Sequence, residues 1–153
     1  MERSLVLLKP DCVERRLMGQ IIARLEDKGL VIVAMKMIKI DQELARRHYK
    51  DHVNKDWYPE LEKYIMSAPV VAMVVQGFGA ISVVRKLAGA TNGRDAEPGT
   101  IRGDYSVSRQ KNLIHASDGE ESATREVSLF FTEEEIIDYR PTIARWFSAS
   151  DEN

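Results

Sequence analysis

Asn112-Leu113-Ile114-His115-Ala116-Ser117-Asp118 sets one histidine between an apolar pair and a run of small and polar residues. The chain has only three histidines, so this one stands out. An imidazole becomes a nucleophile when one ring nitrogen keeps its lone pair and a partner fixes the other. An unperturbed imidazole, with a pKa of about 6.5, is mostly neutral at pH 7. Ser117 and Glu126 are the candidate partners for the ring. Taken alone, the segment also reads as a surface loop in which Ser117 and Asp118 cap the backbone.

The second constellation is cationic. Lys9 follows the apolar run Leu5-Val6-Leu7-Leu8 directly and precedes Pro10, which holds it in place. Arg85 falls late in a helical segment, and Arg102 lies in a turn-rich loop. A polyphosphate needs such groups: lysine brings a point charge and arginine a bidentate fork. Thr91 and Asn112 add neutral donors. Most lysines and arginines are solvated surface charges, and Lys9 departs furthest from that rule.

Several other routes are excluded. There is no G-x-x-x-x-G-K-[ST] phosphate loop, and Gly77-x-Gly79 lacks the third glycine of a dinucleotide fingerprint. The protein-kinase H-R-D and D-F-G sets are missing. His48-x-x-x-His52 has a metal-like spacing, but Lys50, Asp51 and Lys55 favour a solvated helix there. Cys12 has no neighbouring histidine or cysteine to activate it and reads as a spare thiol. Met35, Met37, Met66 and Met73 read as core filler.

The elements that must position these residues follow from hydrophobic periodicity. Leu5 to Leu8 predicts a buried strand, and Leu17 to Leu25 an amphipathic helix stopped by Lys28-Gly29. Leu30 to Ile40 predicts a long strand, with Val31, Val33, Met35 and Met37 on one side. Asp41 caps a helix, and Tyr58 to about Ser67 forms another. Pro69 to Val75 predicts a second buried strand, Ile81 to Leu87 a helix, and residues 90–106 a long irregular loop. Glu126 to Phe131 reads as the last strand, and Thr132 caps a short acidic helix ahead of a helical tail to Phe147. Four strands with helices between them suggest an α+β sandwich of the ferredoxin-like kind, although periodicity alone does not separate it from a doubly wound sheet.

At this length the chain reads as a single domain, 1–153, with Ser148 to Asn153 as a frayed tail. A net charge of −2 disfavours a nucleic-acid binder. The apolar stretch Leu5–Leu8 is too short for a signal-peptide core, and no run approaches the ~18 apolar residues of a membrane span. One cysteine permits no internal disulfide and fits a reducing compartment. The expectation is a cytoplasmic protein that needs neither membrane nor nucleic acid.

These residues together resemble the nucleoside diphosphate kinase family. Asn112-x-x-His115-Ala116-Ser117-Asp118 is similar to that family's active-site signature, and Leu8-Lys9-Pro10-Asp11 to its first-strand motif. Val33-Ala34-Met35-Lys36, His48-Tyr49, Pro69 to Val74 and Pro98 to Asp104 follow in order, so the likeness runs from about Arg3 to Trp146. The resemblance implies a ferredoxin-like fold with a four-stranded antiparallel sheet covered by helices. It implies a Mg²⁺-bound nucleotide and a ping-pong reaction: ATP phosphorylates His115, ADP leaves, and a second nucleoside diphosphate takes the phosphoryl group. By the same likeness Lys9, Tyr49, Arg85, Thr91, Arg102 and Asn112 hold sugar and phosphates, and Ser117 and Glu126 lie around the histidine. Trp57 falls where the family has an aromatic that stacks on the base. The Mg²⁺ is held mainly by the phosphates rather than by protein side chains. Family members are homo-oligomers, hexamers or tetramers built on a common dimer.

Some positions depart from the family pattern. Cys12 and Arg16 stand where glycine is usual, Gly93 where proline is usual, and Arg109 where a small apolar residue often faces the base. A positive φ at Cys12 would cost about 1 kcal/mol or more. These departures leave room for a second reading, a catalytically weak nucleotide-binding or interaction module of the same family. Protonated imidazole cannot attack phosphorus, so the rate of phosphorylation should fall below about pH 6. A single-turnover rate that stays flat down to pH 5 would rule out a histidine nucleophile.

Overall fold

Leu5, Val6, Leu7 and Leu8 are fully buried because their strand has a core on each side. Val6 and Leu8 enter one apolar cluster, Leu5 and Leu7 the other. A strand covered on both faces shows a continuous apolar run rather than an alternation. The computed structural model describes residues 1–152. In chain order the elements are β1 (Glu2–Leu8), α1 (Pro10–Glu14), α2 (Met18–Asp27), β2 (Val31–Ile38), α3 (Gln42–His48), α4 (Tyr58–Ile65), β3 (Val70–Gly77), α5 (Ala80–Ala88), α6 (Ile101–Tyr105), β4 (Ile114–Ala116) and α7 (Glu120–Phe130). Two short 3-10 turns, Glu133–Glu135 and Ala144–Trp146, follow. Among the described residues, no helix is long and apolar enough to cross a membrane.

The four strands lie in the order β2-β3-β1-β4, and every neighbouring pair is antiparallel. This is the ferredoxin-like arrangement. Ile21 and Leu25 of α2 and Ala80, Val84 and Ala88 of α5 cover one face. Ala45 of α3, Ile65 of α4 and Phe130 of α7 cover the other. In β2 a register shift between Ile32 and Ala34 inserts Val33 as an extra residue, so Val33 and Ala34 are both buried while Met35 and Met37 are exposed. The bulge breaks the simple alternation expected for that strand, and two of the methionines read as core are on the surface.

Several elements differ from expectation: α6 forms inside the loop 90–106, the helical tail to Phe147 is reduced to the 3-10 turn Ala144–Trp146, and the last strand lies elsewhere. The last strand is β4, with His115 at its centre, and Glu126 to Phe131 is not a strand but lies in and just after α7. Ala123, Val127 and Phe130 face the core at helical spacing. Over a short apolar run that spacing is hard to tell from a strand. The acidic turn after Thr132 does form, with a capping box between Thr132 and Glu135.

The approach to β4 is a γ-turn. Ile114 N donates to Asn112 O at 2.9 Å, and Leu113 sits at φ 74. Asp11 Oδ2 accepts from Leu113 N at 3.1 Å, and Lys9 N donates to Leu113 O at 2.9 Å. The β1–α1 corner thus grips the turn on both sides. A positive φ at a bulky residue costs roughly 1–3 kcal/mol and persists only where its surroundings hold it.

Cys12 lies inside α1, so the positive φ considered there does not arise; Arg16, at φ 58, carries it instead. Arg16 follows the C-cap of α1, where a left-handed residue closes a helix and glycine is favoured. Gly93 has its own justification. Its N–H donates to Ser108 O at 3.0 Å, a bond proline cannot make, and a Cβ there would lie 2.3 Å from Ser106 O. At the chain end Ala149 N donates to Glu152 Oε2 at 2.8 Å, and Asn153, the last residue of the proposed tail, lies outside the described residues. Arg16→Gly should stabilise the fold by about 1 kcal/mol, a rise in Tm of roughly 2–4 °C. Calorimetry showing a Tm at or below that of the parent would refute strain at Arg16.

Candidate active site

β4 pairs with β1 through only three residue pairs, with His115 opposite Leu7. Ser117 extends this pairing: its Oγ accepts from Leu5 N at 3.0 Å, and its own N–H donates to Leu5 O at 3.1 Å. Ser117 therefore anchors the strand end and is not bonded to the histidine ring. The ring partner is Glu126, one of the two residues proposed for it. α7 carries Glu126, which is 3 % exposed, and its Oε2 contacts His115 Nε2 in a short hydrogen bond. A carboxylate only accepts, so the ring proton lies on Nε2 and Nδ1 keeps its lone pair.

His48 completes this group. It ends α3, is buried rather than solvated, and stacks edge to face on His115 with ring centroids 4.7 Å apart. Burial is the main cause that holds His48 well below its ordinary pKa, and the nearby His115 adds to it. His52, its partner in the i, i+4 spacing, is exposed and packs beside Trp57 at 5.2 Å instead. Sequence reading passed over His48 because its charged neighbours pointed to solvent. Only the packing of α3 against α7 and β4 buries it.

Beside the histidine lies a buried cationic nest. Lys9 Nζ donates to Asn112 Oδ1 at 2.7 Å. Asn112 Nδ2 donates to Thr91 O at 2.7 Å and to Arg109 O at 2.9 Å. Arg102 is 8 % exposed and gives its guanidinium to three carbonyls: Asn112 O at 3.3 Å, Gly89 O at 3.0 Å and Ile114 O at 2.6 Å. Thr100 starts the turn that aims Arg102, capping α6 through Gly103 N at 3.0 Å. Among the described residues no carboxylate forms an ion pair with Lys9 or Arg102. Burial, with help from the Arg102 charge, lowers Lys9 to about 8 against the opposing pull of Asp11. Burial and then Arg85 lower Arg102 to about 10. Lys9 and Arg102 are thus two buried cations whose hydrogen-bond partners are all neutral oxygens.

The remaining predicted residues lie around this centre. Arg85, on α5, is exposed and brings Nη1 to 3.5 Å from Ala116 O. Asp118 is held below its ordinary pKa first by Ser122, then by Arg85 and His115. Tyr49 follows His48 with ring centroids 4.5 Å apart; its hydroxyl is buried without a partner, and burial raises its pKa. Trp57 begins α4 and is 53 % exposed, so its ring is open to a stacking partner. Thr91 is exposed and enters through its carbonyl. Burial, aided by Asp11, raises the Cys12 thiol to about 12, which fits an inert thiol. A separate cavity of about 660 Å³ beside α3 and α7, lined by Gln42, Arg46, Arg125 and others, includes none of these residues.

A histidine with one fixed nitrogen next to buried cations is an arrangement suited to phosphate chemistry. The family model "Nucleoside diphosphate kinase" matches residues 2–136. A nucleoside diphosphate kinase of Rhodopirellula baltica is 56% identical over 152 residues, covering 99% of this chain and 100% of the relative. That of Pyrococcus furiosus is 56% identical over 149 residues, covering 95% and 92%. Among solved structures, a halophilic nucleoside diphosphate kinase from Halobacterium salinarum in complex with CDP superposes with a TM-score of 0.94 at 46% identity, covering 96% of this chain and 98% of that one. The chain belongs to the nucleoside diphosphate kinase family. It is a phosphotransferase that moves the terminal phosphoryl group of a nucleoside triphosphate to a nucleoside diphosphate.

The depressed pKa of Lys9 gives two linked outcomes. Between about pH 8 and 10.5 the unfolded chain binds the proton that the folded chain has lost, so stability without nucleotide should rise with pH across that window. Bound phosphate favours the charged ammonium, so nucleoside diphosphate affinity should fall over the same window. Calorimetric titration with ADP from pH 7 to 10 should show this loss, and Lys9→Met should flatten it. An affinity independent of pH in the parent protein would refute a phosphate role for Lys9.

Proposed function

We propose that the transfer runs as two half-reactions through His115. The observation that carries this reading is the bond between His115 Nε2 and the buried Glu126, which leaves Nδ1 as the nucleophilic atom. Nδ1 attacks the γ-phosphorus of a nucleoside triphosphate, and the diphosphate leaves. A second nucleoside diphosphate then takes the phosphoryl group back through the same geometry. As charge builds on the ring during attack, Glu126 stabilises the Nε2–H. Lys9, Arg85 and Arg102 spread and cancel negative charge on the phosphates, which is most of what phosphoryl transfer asks of a protein. Asn112, tied to Lys9, and Tyr49 read the sugar. Trp57 stacks on the base, and such stacking accepts any base because each has a π-face. The intact cationic nest favours this enzyme reading over that of a weak binding module.

Mg²⁺ fits this site only through the nucleotide. The groups that face the phosphates are cations and cannot ligate a metal; Asp118, which feels the charges of Arg85 and His115, is the oxygen donor near them. Mg²⁺, when bound, neutralises charge on the phosphates. We further propose that residues 1–153 act as one domain in the cytoplasm, without nucleic acid, as a homo-oligomer. The exposed Met35 and Met37 on the edge strand β2, and Trp146 and Phe147 near the end, are apolar surfaces that such assembly would cover.

Incubation with Mg²⁺ and γ-labelled ATP, without acceptor, should place acid-labile, alkali-stable label on the chain, and GDP should remove it. His115→Ala should take no label yet still bind nucleotide. Glu126→Gln should slow labelling by about 10²-fold. Label that persists in His115→Ala would overturn the assignment.

A further inference from the structure

His48 is the buried group that the proposed transfer does not use. Its side chain is 2 % exposed, and neither ring nitrogen has a hydrogen-bond partner. Buried polar side chains are normally paired, so an imidazole with two bare nitrogens asks for a ligand. Its Nδ1 lies 3.8 Å from Glu126 Oε2, the same oxygen that contacts His115 Nε2. The ligand atoms of His48, His115 and Glu126 lie within 4.8 Å of one another, and among the described residues this is the one such trio of His, Cys, Asp or Glu.

We propose that His48, His115 and Glu126 form a binding site for a zinc-class transition-metal ion, and that filling it switches the enzyme off. Two imidazoles and a carboxylate, with water in fourth place, are a donor set that Zn²⁺ accepts at about 2.0–2.2 Å. Tetrahedral ligands at that length sit roughly 3.3–3.5 Å apart, so shifts on the order of 1 Å complete the site. A neutral imidazole has a lone pair to give a metal ion, and both ring nitrogens of His48 are without a hydrogen-bond partner. Arg125 and Lys9, whose charges also reach His48, oppose a dication and weaken the site relative to one with acidic neighbours. Mg²⁺ prefers all-oxygen ligands and does not compete there.

The switch follows from the proton count of imidazole. A neutral ring carries one proton, held on Nε2 by Glu126. A metal ion that takes the Nε2 lone pair sends that proton to Nδ1 through water. Nδ1 then has no lone pair with which to attack phosphorus. This consequence rests on the proposed role of His115; the metal binding does not.

The test uses the full chain without nucleotide. Calorimetric titration with Zn²⁺ gives affinity and stoichiometry, and zinc-edge X-ray absorption gives the ligand shell. One ion per chain is expected, in a nitrogen and oxygen shell with two imidazoles. ATP-dependent labelling should fall in step with occupancy and return once EDTA has stripped the zinc, been removed, and Mg²⁺ has been restored. His48→Phe keeps an aromatic ring and should weaken binding at least about tenfold, whereas the exposed His52→Gln should not change it. No bound ion, sulfur from Cys12 in the shell, a single imidazole, or unchanged affinity in His48→Phe overturns the site. Should His48→Phe fail to fold, the absorption shell of the parent protein decides alone. Zinc in the expected shell with labelling intact overturns the switch. A zinc-free enzyme that takes no label defeats the phosphohistidine reading and leaves the binding result standing.

Discussion

The bond from the buried Glu126 to His115 is the constraint on which the site depends. Its two partners come from different elements: His115 from a three-residue strand at the sheet edge, Glu126 from the helix laid over the adjoining face. A three-residue strand has little pairing energy of its own. β4 is therefore held by additional devices: the Ser117 hydroxyl on Leu5, the γ-turn at Leu113, and the grip of Asp11 and Lys9 on that turn. α7 is fixed by Phe130 in the core it shares with Leu5 and Leu7. Loosening any of these would free the ring to rotate, and with it the choice of nitrogen presented to a phosphate.

The second feature is electrostatic. Lys9 and Arg102 are buried without a counter-charge, and both have depressed pKa values because desolvation penalises their charged forms. The fold tolerates this by surrounding Arg102 with three carbonyls and Lys9 with the Asn112 amide oxygen. Backbone dipoles hold the cations in place without neutralising them. In the proposed transfer a polyphosphate would meet charges that are already oriented and already dry, and little reorganisation would be needed when it arrives.

The departures from the family pattern fit this picture once they are placed. Arg109 meets the nest only through its backbone carbonyl, which accepts from Asn112, and none of the others falls on the nest or on the histidine. Gly93 replaces the rigidity of proline with a hydrogen bond to Ser108, so the loop before Arg102 stays closed by another means. Arg16 takes the left-handed position at the end of α1, a local strain away from the chemistry. Cys12 is a buried core thiol.

The sequence by itself determined the outline. Continuous apolar runs marked β1 and β3, Asp41 and Thr132 marked helix starts, and ordered motifs carried the family, the histidine and the phosphate cations. Such signals are local: burial periodicity, caps and fixed spacing are all written within a few residues. What the sequence could not carry was long-range. β4 is too short for any period, and Glu126 lay in an apolar run that reads as a strand until the core places it on α7. Ser117 resembled a ring partner until pairing with Leu5 claimed its hydroxyl. His48 looked solvated because its sequence neighbours are charged, yet α7 and β4 enclose it. Only tertiary packing decides which side chains lose water and which atoms then face each other, and that choice set one histidine against a buried carboxylate and hid another beside it.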